Sequence, residues 1–289
     1  MNRQILFFDI DGTLVDSTTH IVPASTRAAL QKLKKAGHIL CISTGRSLQS
    51  VTDGHFDELI DWDIFLCNNG QAIYNHDKSL LHMTPIPRES VEACIQAAET
   101  QEAPLLIMGK KQILTRKPNA YVITSAEFFK ESIPDVEAYD GSDVIMMIAY
   151  GPMGYAYEEY MAIPSVDVLI GQSTYADVVL KGFSKAIGIR FILDHFQMQD
   201  YLAFGDSLND VEMLQHARIG VAMGNAHEEA KRAADIITRD VSEDGIYHAL
   251  RQMRLLDYNP LHYDSLVIQA VFYSLLHFIL FPLEGQFTV

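Results

Sequence analysis

The sequence predicts an α/β fold, a doubly wound parallel sheet interrupted by an inserted α+β unit. Three observations predict it. Apolar runs of strand length alternate with helical stretches towards both ends of the 289-residue chain, the alternation expected of βαβ units. Those runs end in clusters of Asp, Ser, Thr, Gly or Asn. Between about residues 81 and 181 the rhythm changes to strand-like runs broken by amphipathic stretches. The length suits two domains of ordinary size.

The first strand is expected at Ile5 to Asp9, and it closes in Asp9-Ile10-Asp11-Gly12-Thr13-Leu14. Two carboxylates at the end of a hydrophobic strand call for a compensating cation or reacting group, because a buried unpaired charge costs several kcal/mol. Alone, this pattern also fits a calcium loop or a plain turn. The chain is expected to turn at Ile10, with Gly12 supplying the backbone freedom. A helix over about Pro23 to Ala36 carries Ala28, Leu30, Leu33 and Ala36 and stops at Gly37, a normal helix end. The second strand, Ile39 to Ser43, runs into Ser43-Thr44-Gly45-Arg46, and a third is expected at Ile64 to Cys67.

Pro85-Ile86-Pro87 marks a hinge into the inserted unit. There, amphipathic stretches at Arg88 to Thr100 and Tyr155 to Met161 alternate with strand-like runs at Leu105 to Met108, Val144 to Ala149 and Val178 to Leu180. Lys110, Lys111, Arg116 and Lys117 read as a solvated hairpin ahead of an anion-attracting patch. Lys185 then opens a helix to His195, and βα alternation resumes with strands at Leu202 to Phe204, Ile219 to Ala222 and Asp235 to Thr238. The first of these runs into Gly205-Asp206-Ser207-Leu208-Asn209-Asp210. In an open parallel sheet, ligands bind outside the carboxyl ends of the strands. The polar clusters at 9–14, 43–46 and 205–210, with Lys185, therefore form one site.

With DIDGTL at 9–14, STGR at 43–46, Lys185 and GDSLND at 205–210, in that order and spacing, the chain resembles the haloacid dehalogenase-like phosphatase superfamily. Within it, the Cof-like sugar-phosphatase branch is the nearest pattern, over roughly residues 1 to 255. The resemblance implies a Rossmann-like core at 1–80 and 184–258, an inserted α+β cap domain at 81–183, and an apolar tail at 259–289. It implies that Asp9 is the nucleophile and forms an aspartyl phosphate, and that Asp11 is the general acid and base. Asp206 would complete a metal site with Asp9 and the backbone carbonyl of Asp11, while Asp210 ligates directly or holds metal-bound water. Thr44, with backbone N–H groups near Ile10 and Gly45, would bind phosphate, as would Lys185. Asn209 would contact phosphate or order the loop. The approach to the lysine, Val178-Val179-Leu180-Lys181, lacks the acidic residue and proline turn that the family often carries.

Elementary chemistry agrees with these roles. A carboxylate attacking an anionic phosphate monoester needs a cation bound to both, and a site of carboxylates without a His or Cys cluster suits Mg²⁺. Plainer roles exist for each residue: helix caps for Asp206 and Asp210, a solvated helix residue for Lys185, a turn residue for Thr44. Arg46 either touches substrate or pairs with a carboxylate.

Lys plus Arg number 22 against 37 Asp plus Glu, a net charge of −15, which argues against nucleic acid as a partner and leaves small phosphorylated metabolites. Cys41, Cys67 and Cys94 form no CxxC and read as buried thiols of a reducing, cytoplasmic location. The N-terminus enters a strand directly, without the pattern of a signal peptide. Leu266 to Phe281 carries no Asp, Glu, Lys or Arg. It is shorter than the roughly 20 residues of a membrane span, so packing on the core or on a second copy of the chain, a homo-oligomer, stands ahead of a membrane contact. The expected activity is a Mg²⁺-dependent phosphomonoesterase. The alternatives are a sugar phosphotransferase or phosphomutase, and a non-catalytic phospho-ligand-binding regulatory protein.

Overall fold

A computed structural model of the chain describes residues 3–129, 132–171 and 173–257. In chain order its strands are β1 (Ile5–Phe8), β2 (Ile39–Ser43), β3 (Ile64–Cys67), β4 (Ala72–Asn75), β5 (Leu80–Met83), β6 (Leu105–Gly109), β7 (Gln112–Leu114), β8 (Val144–Tyr150), β9 (Val166–Ile170), β10 (Tyr175–Leu180), β11 (Leu202–Gly205), β12 (Ile219–Ala222) and β13 (Ile236–Ile237). The α-helices are α1 (Ala24–Lys35), α2 (Leu48–Asp53), α3 (Arg88–Thr100), α4 (Ala120–Phe129), α5 (Glu158–Met161), α6 (Lys185–Phe196), α7 (Val211–His216), α8 (Glu228–Ala233) and α9 (Gly245–Gln252). The apolar run Leu266 to Phe281 lies outside the described residues. Among the described residues, no helix is long and apolar enough to cross a membrane.

The core sheet has the order β13-β12-β11-β1-β2-β3-β4-β5. It is parallel from β13 through β3 and ends in an antiparallel pair, β4 and β5. Strands β1, β2 and β3 are buried at every position, because helices cover both faces of a parallel sheet and leave no polar side to alternate. Phe8 stacks on Phe204 of the neighbouring strand at 4.8 Å, and Leu30 and Leu33 of α1 and Ile189 and Ile192 of α6 join the same core. The chain runs β1-β2-β3 one way and returns through β11 on the opposite side of β1. The topology therefore reverses between β1 and β11, where the crevice for a ligand opens.

The second sheet is antiparallel, with the order β7-β6-β8-β10-β9. One face is sealed by α3 and α5: Val91, Cys94 and Tyr160 pack on Leu105, Ile107, Met147, Ala149, Ala176 and Val178. On the other face α4 covers one part, where Val122 meets Leu106, Leu114 and Tyr150. Two chain crossings join the sheets, near Ile86, whose N–H donates to Val144 O at 2.7 Å, and between β10 and α6.

Several elements differ from expectation, for local reasons. The stretch expected as a helix over Tyr155 to Met161 is helical only over Glu158–Met161, because Tyr157 is left-handed at φ 54°. Strand β10 starts at Tyr175, before the expected Val178. The hairpin β4–β5 carries the core sheet on to Met83, beyond the boundary expected at residue 80. Helix α4 was not anticipated, since its Val122, Ile123 and Thr124 favour strands and Ile123 faces solvent. Strand β9 escaped notice because Leu169 and Ile170 are both exposed and break its alternation.

Candidate active site

Asp9 is the first residue beyond β1, and its N–H still donates to Phe204 O of β11 at 3.0 Å. The ladder thus fixes the backbone of a carboxylate only 5% exposed. At Ile10 the chain turns, and Ile10 O accepts from the N–H groups of Leu14 and Val15, both at 2.9 Å. Gly12 has φ +82°, and a Cβ there would lie 2.3 Å from Asp206 Oδ2. Glycine is required twice over, by the backbone angle and by the approach of that carboxylate. The turn separates the two carboxylates: the Asp11 side chain is 51% exposed and forms a bidentate pair with Arg46, Nε and one terminal nitrogen each at 2.7 Å. Of the two roles open for Arg46, the carboxylate pairing is the one seen.

Lys185, the first residue of α6, is fully buried, and its Nζ donates to Asp9 Oδ1 at 2.7 Å and Asp210 Oδ1 at 2.6 Å. Close packing at glycine brings it there. Gly70 has φ +98° and a Cβ on it would sit 2.6 Å from Ser184 O, so the start of α6 can rest against the loop after β3. A solvated lysine is excluded.

Asp206 and Asp210 stand beyond β11. Asp210 closes a capping box with Ser207, its Oδ2 accepting the N–H groups of Asp206 and Ser207 at 3.0 Å each. Capping and site membership coexist in this residue, since its other oxygen takes Lys185. Asp206 Oδ1 accepts from Thr13 Oγ1 at 2.9 Å. Asp9, Asp206 and Asp210 each bring an oxygen within 4.8 Å of the others. Asp11 contributes no carboxylate oxygen to that group.

Thr44 is buried at the end of β2, its N–H bound to Leu66 O at 2.9 Å and its Oγ1 accepting from Arg46 N–H at 3.1 Å, which leaves the hydroxyl hydrogen to donate. Gly45 faces the Asn69 side chain, whose Oδ1 would lie 3.2 Å from a Cβ added at Gly45. Asn209 Nδ2 donates to that same Asn69 Oδ1 at 2.8 Å. The sequence reading missed Asn69, left-handed at φ 53°, and Asn225, which ties Gly12 O to Val241 N–H. Both follow an apolar strand closely, at Asn68-Asn69-Gly70 and Gly224-Asn225. The rule that located the other clusters covers them too.

The site carries more negative charge than its one buried ammonium neutralises. Burial drives the Asp9 carboxyl well above the ordinary carboxylate range; Lys185 opposes this, and the negative charges of Asp210, Asp206 and Asp11 add to it. Asp206 is pushed up to about 7, by burial first and Asp210 second. For Lys185, burial works against the charge, but Asp210 and Asp9 outweigh it and hold the ammonium above its usual range. Among the described residues, one oxygen of Asp9 and one of Asp206 have no hydrogen-bond donor. Raised carboxylates, spare oxygens and the absence of His or Cys in the group fit a divalent cation with hard oxygen ligands.

The family model of the haloacid dehalogenase-like hydrolases matches residues 6–250. YkrA of Bacillus subtilis (strain 168) is 31% identical over 261 residues, 89% of this chain and 100% of YkrA. A hypothetical protein from Geobacillus kaustophilus HTA426 superposes with a TM-score of 0.81 at 33% identity, covering 88% of this chain and 100% of that one. The subclass IIB sugar phosphatase BT4131 superposes at 0.74 and 32% identity, over 87% of this chain and 99% of its own. The chain belongs to the haloacid dehalogenase-like hydrolase family.

Proposed function

We propose that this haloacid dehalogenase-like hydrolase is a Mg²⁺-dependent phosphatase of small phosphorylated metabolites, acting through a phosphoryl group carried on Asp9. The observation that supports this most is the buried Asp9–Lys185–Asp210 bridge beside Asp206. A structural ion pair would be weak evidence, since an apolar substitute serves stability as well. Three carboxylates clustered with one lysine, with spare oxygens at a topological switch point, suit an anionic ligand and a cation.

In this reading Asp9, Asp206 and the carbonyl of Asp11 hold Mg²⁺, with Asp210 steadying the loop and Lys185. The cation, when bound, screens the phosphate from Asp9 and stabilises charge on its oxygens. The Thr44 hydroxyl, the N–H groups near Ile10 and Gly45, the Lys185 ammonium and Asn209 orient the phosphoryl oxygens. An oxygen of Asp9 attacks phosphorus in line; the phosphorus–alcohol bond breaks, and Asp11 gives its proton to the leaving oxygen. Water then attacks the aspartyl phosphate, Asp11 takes the proton, and inorganic phosphate departs with the Asp9 carboxylate restored. Because Asp11 is paired to Arg46 in this structure, it must exchange that partner for the leaving group. In the same reading the core spans 1–80 and 184–258, the cap spans 81–183, and the antiparallel sheet of the cap acts as the lid that excludes water.

Phosphate release from a panel of sugar phosphates, nucleotides and phosphorylated cofactors, with Mg²⁺ or EDTA and Asp9→Asn as the blank, tests the proposal. Metal-dependent release absent from the variant is expected. Transfer to a sugar without net release would favour a phosphomutase, and tight phosphate-ester binding without turnover a regulatory protein.

A further inference from the structure

Gln71 stands between β3 and β4 in the core sheet, and only 1% of it is exposed. Its carboxamide reaches three backbone groups that belong to neither strand. Nε2 donates to Ile145 O of β8 at 2.6 Å and to Thr84 O, just past β5, at 3.2 Å. Oε1 accepts from the N–H of Leu180, the last residue of β10, at 3.3 Å. Both donor hydrogens and the acceptor are thereby used. The amide can face only this way, since a flip would set its oxygen against two carbonyls. Thr84 N–H donates in turn to the Gln71 carbonyl at 2.8 Å.

These partners sit where the chain passes between the two sheets. Thr84 opens the first crossing and Leu180 the second. Strands β8 and β10 pair from Tyr150 with Tyr175 to Met146 with Val179. One step further along this register, Ile145 O and Leu180 N–H are both taken by the Gln71 amide, which stands between the strands as a peptide group would. The residues just before Gln71 complete the junction. Asn68 Nδ2 reaches the Met146 sulfur at 3.9 Å, Asn69 accepts from Asn209, and Gly70 rests against Ser184 O, next to Lys185. Asn68, Asn69 and Gly70 are all left-handed, at φ 50°, 53° and 98°. Such a run persists only where its surroundings hold it. One short loop of the core thus touches the second sheet, both crossings, the start of α6 and the site.

We propose that Gln71 is a positioning residue that seats the antiparallel sheet on the core, tying the two crossings together so that they loosen only as a pair. Asn in its place would be one methylene too short, and Glu would lack the two donors. Leu would leave Ile145 O, Thr84 O and Leu180 N–H without the bonds that Gln71 supplies, in a largely buried setting. The kinetic consequence rests on the phosphatase reading. If only the seated form binds substrate productively, a looser seat lowers the competent fraction and raises KM, while saturating substrate restores kcat.

Hydrogen exchange on substrate-free Gln71→Leu, where exchange follows the opening equilibrium, tests the coupling with no assumption about activity. The amides to follow are Ile86, which donates to Val144 O, and Lys181, which donates to Ser165 O, because Gln71 bonds to neither. Both should exchange faster by a common factor of about 10- to 100-fold, with the amides of β1 and β2 unchanged. Where Gln71→Leu does not fold, Gln71→Glu serves. It should loosen both crossings at about pH 8 and regain protection towards about pH 4, as its carboxyl gains a proton to donate. Protection unchanged at both crossings, or lost at one alone, overturns the proposal. In kinetics, KM for a sugar phosphate should rise at least about threefold with kcat within about twofold of wild type. A fall in kcat at unchanged KM marks a merely structural role and also overturns it. A wild type that releases phosphate from nothing overturns the phosphatase reading, and the exchange result alone then decides for or against the seat.

Discussion

At the carboxyl ends of β1 and β11 each buried charge has a partner: Lys185 spans Asp9 and Asp210, Asp210 caps its own loop, and Thr13 holds Asp206. On the face of the antiparallel sheet opposite α3 and α5, which α4 covers in part, the side chains are mostly apolar, and Asp177 has no hydrogen-bond or ion-pair partner among the described residues. The first region is over-determined, and its polar groups are aligned before any ligand arrives, as electrostatic catalysis requires. The second supplies shape and one unsatisfied acceptor. On the proposed function, chemistry common to all substrates belongs to the first region, and choice among substrates to the cap. Substitutions in the core site should therefore depress every substrate, and those on the cap face should change ratios.

The largest effect is expected at Asp9. Asp9→Asn should lower kcat by at least about 10⁴-fold for all substrates alike, with the far-ultraviolet circular dichroism unchanged; a substrate-dependent loss would blur the division. Next comes Asp11→Asn. General acid catalysis contributes about 10²- to 10⁴-fold, and the loss should be full for sugar phosphates and small for aryl phosphates, whose leaving groups need no proton. Equal losses would remove Asp11 from that role.

Lys185→Met tests the same network through stability. Removing the ammonium strands buried carboxylates, a change of about 3–5 kcal/mol in urea unfolding at neutral pH in EDTA. Asp9 and Asp206 have raised folded-state values, so they favour the folded state most in acid and less as pH rises through those values. The defect of Lys185→Met should therefore be greatest above about pH 7 and shrink towards pH 4. Combining it with Asp9→Asn should recover part of the loss, and strict additivity of the two would show that they do not interact.

Arg46→Gln marks the boundary between structure and function. Both partners of its pair with Asp11 are well exposed, 32% and 51%, so stability should change by less than about 1 kcal/mol while the pH dependence of kcat shifts. The smallest change is expected on the cap. Burial pushes the Asp177 carboxyl up to about 7 against an ordinary 3.8, so it costs folding stability as pH rises from about 4 to 7. Asp177→Asn should then melt slightly higher than wild type at pH 8, and the difference should shrink as pH falls and vanish below about pH 4.

The same contrast explains what the sequence disclosed. Parallel strands buried on both faces are continuous apolar runs, so Ile39–Ser43 and Ile64–Cys67 were read to the residue, and the polar groups closing such runs mark the site. Asp9, Asp206, Asp210 and Lys185 were legible for that reason, and the structure brings them together. Asn69 and Asn225 act through bonds to Asn209 and Gly12, more than a hundred positions away in the chain; spacing alone shows no such pairing. In the cap, strands have one open face and irregular alternation, so β7, β9 and α4 were hidden. Asp177 is assigned to the face opposite α3 and α5 only by its register with Ile148.

The proposed function stands or falls on Asp9 carrying the phosphoryl group. Wild-type protein quenched in acid during turnover of a sugar phosphate with Mg²⁺, then weighed intact and mapped by peptide, tests it most directly. One phosphoryl group is expected on the peptide containing Asp9, removed by hydroxylamine and absent from Asp9→Asn. Steady phosphate release with no label at Asp9, or undiminished release by Asp9→Asn, would contradict it.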